Sequence, residues 1–234
     1  MADNFRVVQS ERAASARTGT GARESVLSTN KVLRNTYALL AMTLIFSGVT
    51  AGVAMATNAP PLHWILVLGG YFGLLFLTSA LRNSVWGLPS VFALTGFMGY
   101  TLGPLLNMYI GAFSNGAELV MMALGGTGVM FIGLSAYALT TQKDFSFLRG
   151  FLFAGILVAF VGALVAVIFS IPALSMAMSA AFIVLMSALI LYQTSEIIHG
   201  GETNYIMATI TLYVSIYNLF TSLLHLLGVF AGEE

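Results

Sequence analysis

Between Tyr192 and Phe220, two apolar segments carry Gln193, Ser195, Glu196, Ser215 and Asn218, and a short polar connection, His199-Gly200-Gly201-Glu202-Thr203-Asn204-Tyr205, joins them. These are the residues best placed to do chemistry in a chain otherwise poor in polar side chains. Gln193 and Glu196 stand three residues apart, as do Ser215 and Asn218, so each pair shares one face of its helix. Folded back through the Gly-Gly connection, the two faces would meet at similar depth. A carboxylate drawn out of water holds its proton more tightly, so Glu196 suits a proton sensor or a cation gate. The competing reading is a plain helical hairpin with polar residues at the water boundary, Glu196 reaching water or pairing with Arg82, Lys143 or Arg149. Polar groups held within a bilayer are costly and tend to mark function.

Other chemistries find little support. The chain has no cysteine, which excludes disulfides, thiol catalysis and cysteine metal sites. Its three histidines, His63, His199 and His225, are scattered, so no metal site or cofactor is expected. Gly133-Leu134-Ser135 and His225-Leu226-Leu227-Gly228 faintly resemble the serine and histidine motifs of rhomboid intramembrane proteases, but Ala136 follows the serine where that pattern has glycine. Ser135 lies near the end of one apolar run and His225 near the end of another that points the opposite way. At the helical rise their depths differ by roughly 15 Å, whereas a nucleophile and its base need hydrogen-bond contact or one bridging water. No enzyme is expected.

What must position the polar stretch is a membrane bundle. The sequence is 58% hydrophobic and 8% charged, against about 25% charged in soluble domains. Seven apolar runs, about 33–56, 62–81, 88–112, 118–140, 149–170, 174–198 and 206–230, each approach the ~20 residues that cross a bilayer. Breakers separate them, among them Asn58-Ala59-Pro60-Pro61, Ser114-Asn115-Gly116 and Ile171-Pro172. The expectation is an all-α polytopic membrane protein with seven transmembrane helices, in which residues 31–234 form the membrane domain. Residues 1–30, rich in Ala, Ser, Thr, Gly and Arg without apolar periodicity, read as a mobile cytoplasmic tail.

Basic residues set the orientation. With the N-terminus in the cytoplasm, all nine fall inside: Arg6, Arg12, Arg17, Arg23, Lys31, Arg34, Arg82, Lys143 and Arg149. The outer connections and the C-terminus then hold only Glu118, Glu233 and Glu234. Zero net charge gives no reason to expect a nucleic-acid partner.

Small residues suggest close helix packing. Gly48 and Gly52, Gly69 and Gly73, and Gly99 and Gly103 are each four apart in three successive runs. Pro104 interrupts the third run and frees a carbonyl, which Asn107 or a neighbouring helix would satisfy; a structural kink is expected there.

The stretch His199-Gly200-Gly201-Glu202-Thr203-Asn204-Tyr205-Ile206, with Ala208-Thr209, Leu212-Tyr213 and Asn218-Leu219-Phe220 after it, resembles the Bax-inhibitor family in its bacterial YccA branch. Lys31-Val32-Leu33-Arg34-Asn35-Thr36-Tyr37, Gly103-Pro104-Leu105-Leu106-Asn107 and Lys143-Asp144-Phe145-Ser146-Phe147-Leu148 agree with it, so the similarity runs from about residue 25 to the end. The resemblance implies a seven-helix bundle with the last helix central. Family members conduct or leak calcium in a pH-dependent way, with a pair of aspartates on helices six and seven as the sensor; the matching positions here are Gln193 and Ser215, so that pair is missing, and Glu196 alone cannot form it. The YccA branch is associated with the membrane-anchored AAA protease FtsH, as a modulator and as a substrate. The resemblance therefore implies a bacterial inner-membrane protein with FtsH and membrane lipid as partners, and the basic residues set its N-terminus in the cytoplasm and its C-terminus in the periplasm. The alternative is a pH-sensitive calcium or proton leak gated near Gln193, Glu196, Ser215 and Asn218.

Overall fold

The computed structural model describes residues 31–232. The expected cytoplasmic tail, residues 1–30, lies outside them. Seven helices follow one another: α1 (Lys31–Ala56), α2 (Trp64–Leu81), α3 (Gly87–Ala112), α4 (Gly116–Thr141), α5 (Leu148–Ile168), α6 (Pro172–His199) and α7 (Tyr205–Ala231). All seven are long and apolar enough to cross a membrane. In hydrocarbon every backbone amide and carbonyl must find its partner within the segment, and a helix achieves that without help. Hydroxyls inside the spans follow the same rule by bonding back one turn: Thr78 to the Leu74 carbonyl, Thr127 to Ala123 and Ser187 to Ile183, each at 2.7–2.8 Å.

Side-chain bonds fix which helix ends lie together. At one end, Asn204 before α7 reaches Arg82 and Asn83 after α2, Ser195 in α6 reaches Lys143 after α4, and Thr209 in α7 reaches the Thr36 carbonyl in α1. At the opposite end, Asn107 late in α3 reaches Met55 late in α1, and His225 late in α7 reaches Ser179 early in α6. Successive helices therefore alternate in direction.

The last helix is central. α7 packs against α3, α4 and α6, and it bonds to α1 through Ser47 and Tyr213. Its buried residues include Ala208, Thr209, Leu212, Tyr213, Leu219 and Leu224, which lie on more than one face. α5, by contrast, buries only Leu152, Ala159 and Ala166, a single stripe seven residues apart, and packs chiefly along α6. α2 packs chiefly along α3 and buries only Thr78. Exposed Phe76, Met121, Val129, Phe153 and Val158 face outward, as lipid contact requires.

Of the three expected glycine pairs, one is a close contact. A methyl group at Gly99 would strike the Ser47 carbonyl and the Thr50 hydroxyl, and one at Gly103 would strike Ala54, so these two glycines bring α3 against α1. Gly48, Gly52, Gly69 and Gly73 have nothing within 4 Å of where a methyl would stand. Pro104 also departs from expectation in its partner. α3 continues through it, and the amide of Asn107 donates 3.1 Å to the Met55 carbonyl at the end of α1. Asn107 thus serves a helix-end carbonyl of its neighbour, one that also accepts the Asn58 amide at 3.1 Å, and not the carbonyl that the proline leaves unbonded within α3.

Candidate functional site

The connection between α6 and α7 is built residue by residue from its sequence. Gly200 adopts φ 76°, a left-handed conformation that costs glycine nothing, and it ends α6. The amides of Gly201 and Glu202 then converge on the Glu196 carbonyl at 2.8 and 3.1 Å. A methyl at Gly201 would press on the Glu196 carboxylate, so this second glycine makes room for an acid one turn back. Glu202 accepts the Asn204 amide at 2.7 Å. Asn204 caps α7 by accepting from Ile206 and Met207 at 3.0 and 3.1 Å, and its own amide nitrogen donates to Asn83 at 2.8 Å. Tyr205 opens the helix. The motif His199, Gly200, Gly201, Glu202, Asn204, Tyr205 is thus a turn that stops one helix, starts the next and fastens both to the α2–α3 connection.

A second knot holds the α4–α5 connection to α6. Ser195 Oγ donates to the Lys143 carbonyl at 3.1 Å and accepts the Phe145 amide at 3.0 Å. His199 Nδ1 lies 2.9 Å from the Ser195 carbonyl. The Ser146 amide donates to Asp144 at 2.8 Å, which holds that exposed carboxyl below the usual carboxylate range. Ser195, singled out in the sequence only as one of several polar residues, is the link between these elements.

The four candidate gate residues are distributed differently from one another. Gln193 is buried, and its amide nitrogen has no hydrogen-bond partner. Ser215 is fully buried and donates back to the Thr211 carbonyl at 2.7 Å. Asn218 is partly buried and donates to the Val214 carbonyl at 2.8 Å. Glu196 is partly exposed at the end of α6. Among the described residues no hydrogen bond joins Gln193 or Glu196 to Ser215 or Asn218; both α7 side chains turn onto their own helix. No group of three or more His, Asp or Glu that could hold a metal ion occurs among the described residues.

Ser135 and His225 have separate surroundings. Ser135 Oγ is buried without a partner, while His225 Nδ1 lies 2.9 Å from Ser179 Oγ. His225 is a packed side chain tying the start of α6 to the end of α7.

Two large openings flank α7. One, about 460 Å³, lies among α1, α3, α4 and α7, and its floor carries Ser47 Oγ and Tyr213 Oη paired at 2.6 Å. The other, about 630 Å³, lies between α2 and α5 and is bordered by Asn218 and Tyr217. Neither was legible from residue spacing.

Comparison with known proteins agrees with this architecture. The family model described as inhibitor of apoptosis-promoting Bax1 matches residues 29–232. The chain is 53% identical over 212 residues to an Escherichia coli K12 protein named Modulator of FtsH protease YccA, covering 91% of this chain and 95% of that one. A Pseudomonas aeruginosa protein of uncharacterized function is 58% identical over 203 residues, covering 87% of this chain and 91% of its own length. A Vibrio cholerae membrane protein is 46% identical over 218 residues, covering 93% and 97%.

Proposed function

We propose that this chain, which belongs to the Bax-inhibitor family, is a non-catalytic protein of the bacterial inner membrane that binds the AAA protease FtsH and modulates it. The observation that carries this reading is the similarity to the Escherichia coli protein named as a modulator of that protease, which extends over nearly the whole of both chains. The use made of the polar residues supports it. Ser195, Asn204, Asn107 and His225 are each spent on joining helices, which suits a scaffold more than a catalyst. Wide lipid-facing surfaces on α4 and α5 offer room for the membrane segments of a partner.

Residues 1–30 would serve as the end that the protease grips when the chain is its substrate. A processive protease needs a free end, and the other segments expected on the same side are short connections tied at both ends. The test is co-purification with FtsH from native membranes, with and without residues 2–25, combined with a lifetime measurement. The deletion should leave the bundle folded and prolong its lifetime. Degradation as fast as that of the full chain would place the handle elsewhere, and failure of the full chain to retain FtsH would reject the partner.

A second reading, a cation leak, rests on one observation: Gln193 keeps a buried amide nitrogen without a partner in the helix that also carries Glu196. Such a group is costly unless it serves something.

A further inference from the structure

α2 and α5 flank a gap in the bundle. Each is packed chiefly on one neighbour, α2 on α3 and α5 on α6, and they meet through the edge-to-face pair Phe72 and Phe160, ring centroids 5.7 Å apart. Behind that pair lies the 630 Å³ cavity, with Tyr71, Phe97, Phe153 and Phe182 among its walls and Tyr217 and Asn218 on α7. A further cavity of about 600 Å³ adjoins it. The two share Val67, Thr101 and Tyr217, and the second reaches Asn58 and Asn107 at the end of the bundle where α1 gives way to α2.

The shape of this joined space restricts what can enter it. From Phe97 to Asn107 along α3 the rise is about 15 Å, which is half the ~30 Å hydrocarbon thickness of a bilayer, the depth of one leaflet. No Asp, Glu, Lys, Arg or His borders either cavity, so an ion or a charged head group finds no opposite charge inside. Two of the hydroxyls along the wall are already engaged: Thr101 donates to the Met98 carbonyl at 2.7 Å, and Tyr217 Oη lies 3.3 Å from Thr101 Oγ1. Phe153 and Leu157, at the edge of the opening, are exposed toward the surroundings of the bundle, which at this depth are lipid chains.

The geometry points to a lateral site for one acyl chain of a membrane phospholipid. The chain lies in the aromatic cavity between α2 and α5, its ester region sits level with Asn107, and its head group stays outside at the α1–α2 end. This site is independent of FtsH binding. Neighbouring lipid supplies the ligand sideways, and each methylene that enters gains dispersion contacts with the aromatic walls.

The test places the full chain in nanodiscs with a phosphatidylethanolamine that carries a diazirine within its acyl chain and an alkyne for detection. After irradiation, label should concentrate several-fold on peptides bearing Val67–Phe72 and Phe153–Phe160, compared with Met121–Val129 of α4, which is at least as exposed to lipid. Filling the space with Ile156→Trp, or separately Leu68→Trp, should reduce that label to the level of α4 while thermal melting stays cooperative. Labelling that simply follows lipid exposure would overturn the site. So would unchanged labelling in whichever filled variant remains folded. A phosphatidylethanolamine with the diazirine in its head group should label neither peptide preferentially; preferential labelling there would reject the orientation assigned to the lipid.

Discussion

Asn204 Nδ2 stands 2.8 Å from Asn83 Oδ1 and 3.2 Å from the Arg82 carbonyl, while its own side-chain oxygen takes the first free amides of α7. Backbone amides can only donate, so the cap fixes which end of the Asn204 amide is oxygen, and the nitrogen must face Arg82 and Asn83. One side chain therefore both starts the central helix and anchors it to the α2–α3 connection. No other common capping residue does both. Serine and aspartate can cap, but neither presents a donor in the opposite direction at that reach.

That double role predicts a graded series in detergent-solubilised protein. Asn204→Ala should destabilise most, losing a cap worth about 1 kcal/mol and the bonds to the neighbouring connection, each about 0.5–1.5 kcal/mol. Asn204→Ser should melt between it and the wild type, because it caps without reaching Asn83. Equal melting of Asn204→Ser and wild type would mean that the bond to Asn83 contributes nothing.

Gly103 and Gly48 make a sharper comparison, since both begin as glycines in apolar helices. A methyl at Gly103 meets Ala54 and stands 2.9 Å from the Ala51 carbonyl, backbone that cannot turn aside. Gly103→Ala should cost about 1–3 kcal/mol of stability, the usual range for overpacking. Gly48→Ala meets nothing within 4 Å and should be neutral or slightly stabilising, because alanine favours helix. The melting temperatures of the two variants check this, and equal losses would show that helix packing does not distinguish them.

That contrast also shows where the sequence stops being informative. The seven spans were legible within a few residues, because lipid forces long unbroken apolar helices and the breakers between them are conspicuous. The run read as 118–140 is Gly116–Thr141, and the run read as 149–170 ends at Ile168, before Ser170 turns to a positive φ. Which apolar face meets protein and which meets lipid was not legible, because both environments favour the same side chains. Hence three glycine pairs looked alike and one proved to be a contact. In the polar stretch, residue types were visible but their partners were not. Ser195 and Asn204 work across gaps of 52 and 121 residues, which no local spacing reveals. In the sequence Asn204 reads only as part of the polar connection, not as the cap that it forms.

The cation reading predicts a weak calcium leak in liposomes. Gln193 and Ser215 carry no charge, and calcium seeks several oxygens with carboxylate among them. Gln193→Asp together with Ser215→Asp would place two acids at buried positions on the paired helices α6 and α7. The added carboxylates supply charged oxygens for calcium, so the leak should be larger than that of the parent and should fall as pH falls and the acids protonate. A strong leak in the unmodified protein that persists in Glu196→Gln would remove these residues from the account.

Orientation can be tested directly because the chain has no cysteine of its own. The bonds of Asn204 to Arg82, of Ser195 to Lys143 and of Thr209 to Thr36 gather the connections holding Arg82 and Lys143, with Arg149 in the first turn of α5, at one end of the bundle, the end where α1 begins with Lys31 and Arg34. Basic residues are retained on the cytoplasmic side, so this end should face the cytoplasm. The α3–α4 connection, Phe113 to Asn115, then faces the periplasm with the end of α7. Ser114→Cys should react with a membrane-impermeant maleimide added to intact spheroplasts, and Asn83→Cys should react only after the membrane is opened. A periplasmic reporter fused after Glu234 should be active. The reverse labelling pattern would invert the whole bundle. Periplasmic Ser114→Cys combined with a cytoplasmic C-terminus would mean that α7, despite its length, does not cross.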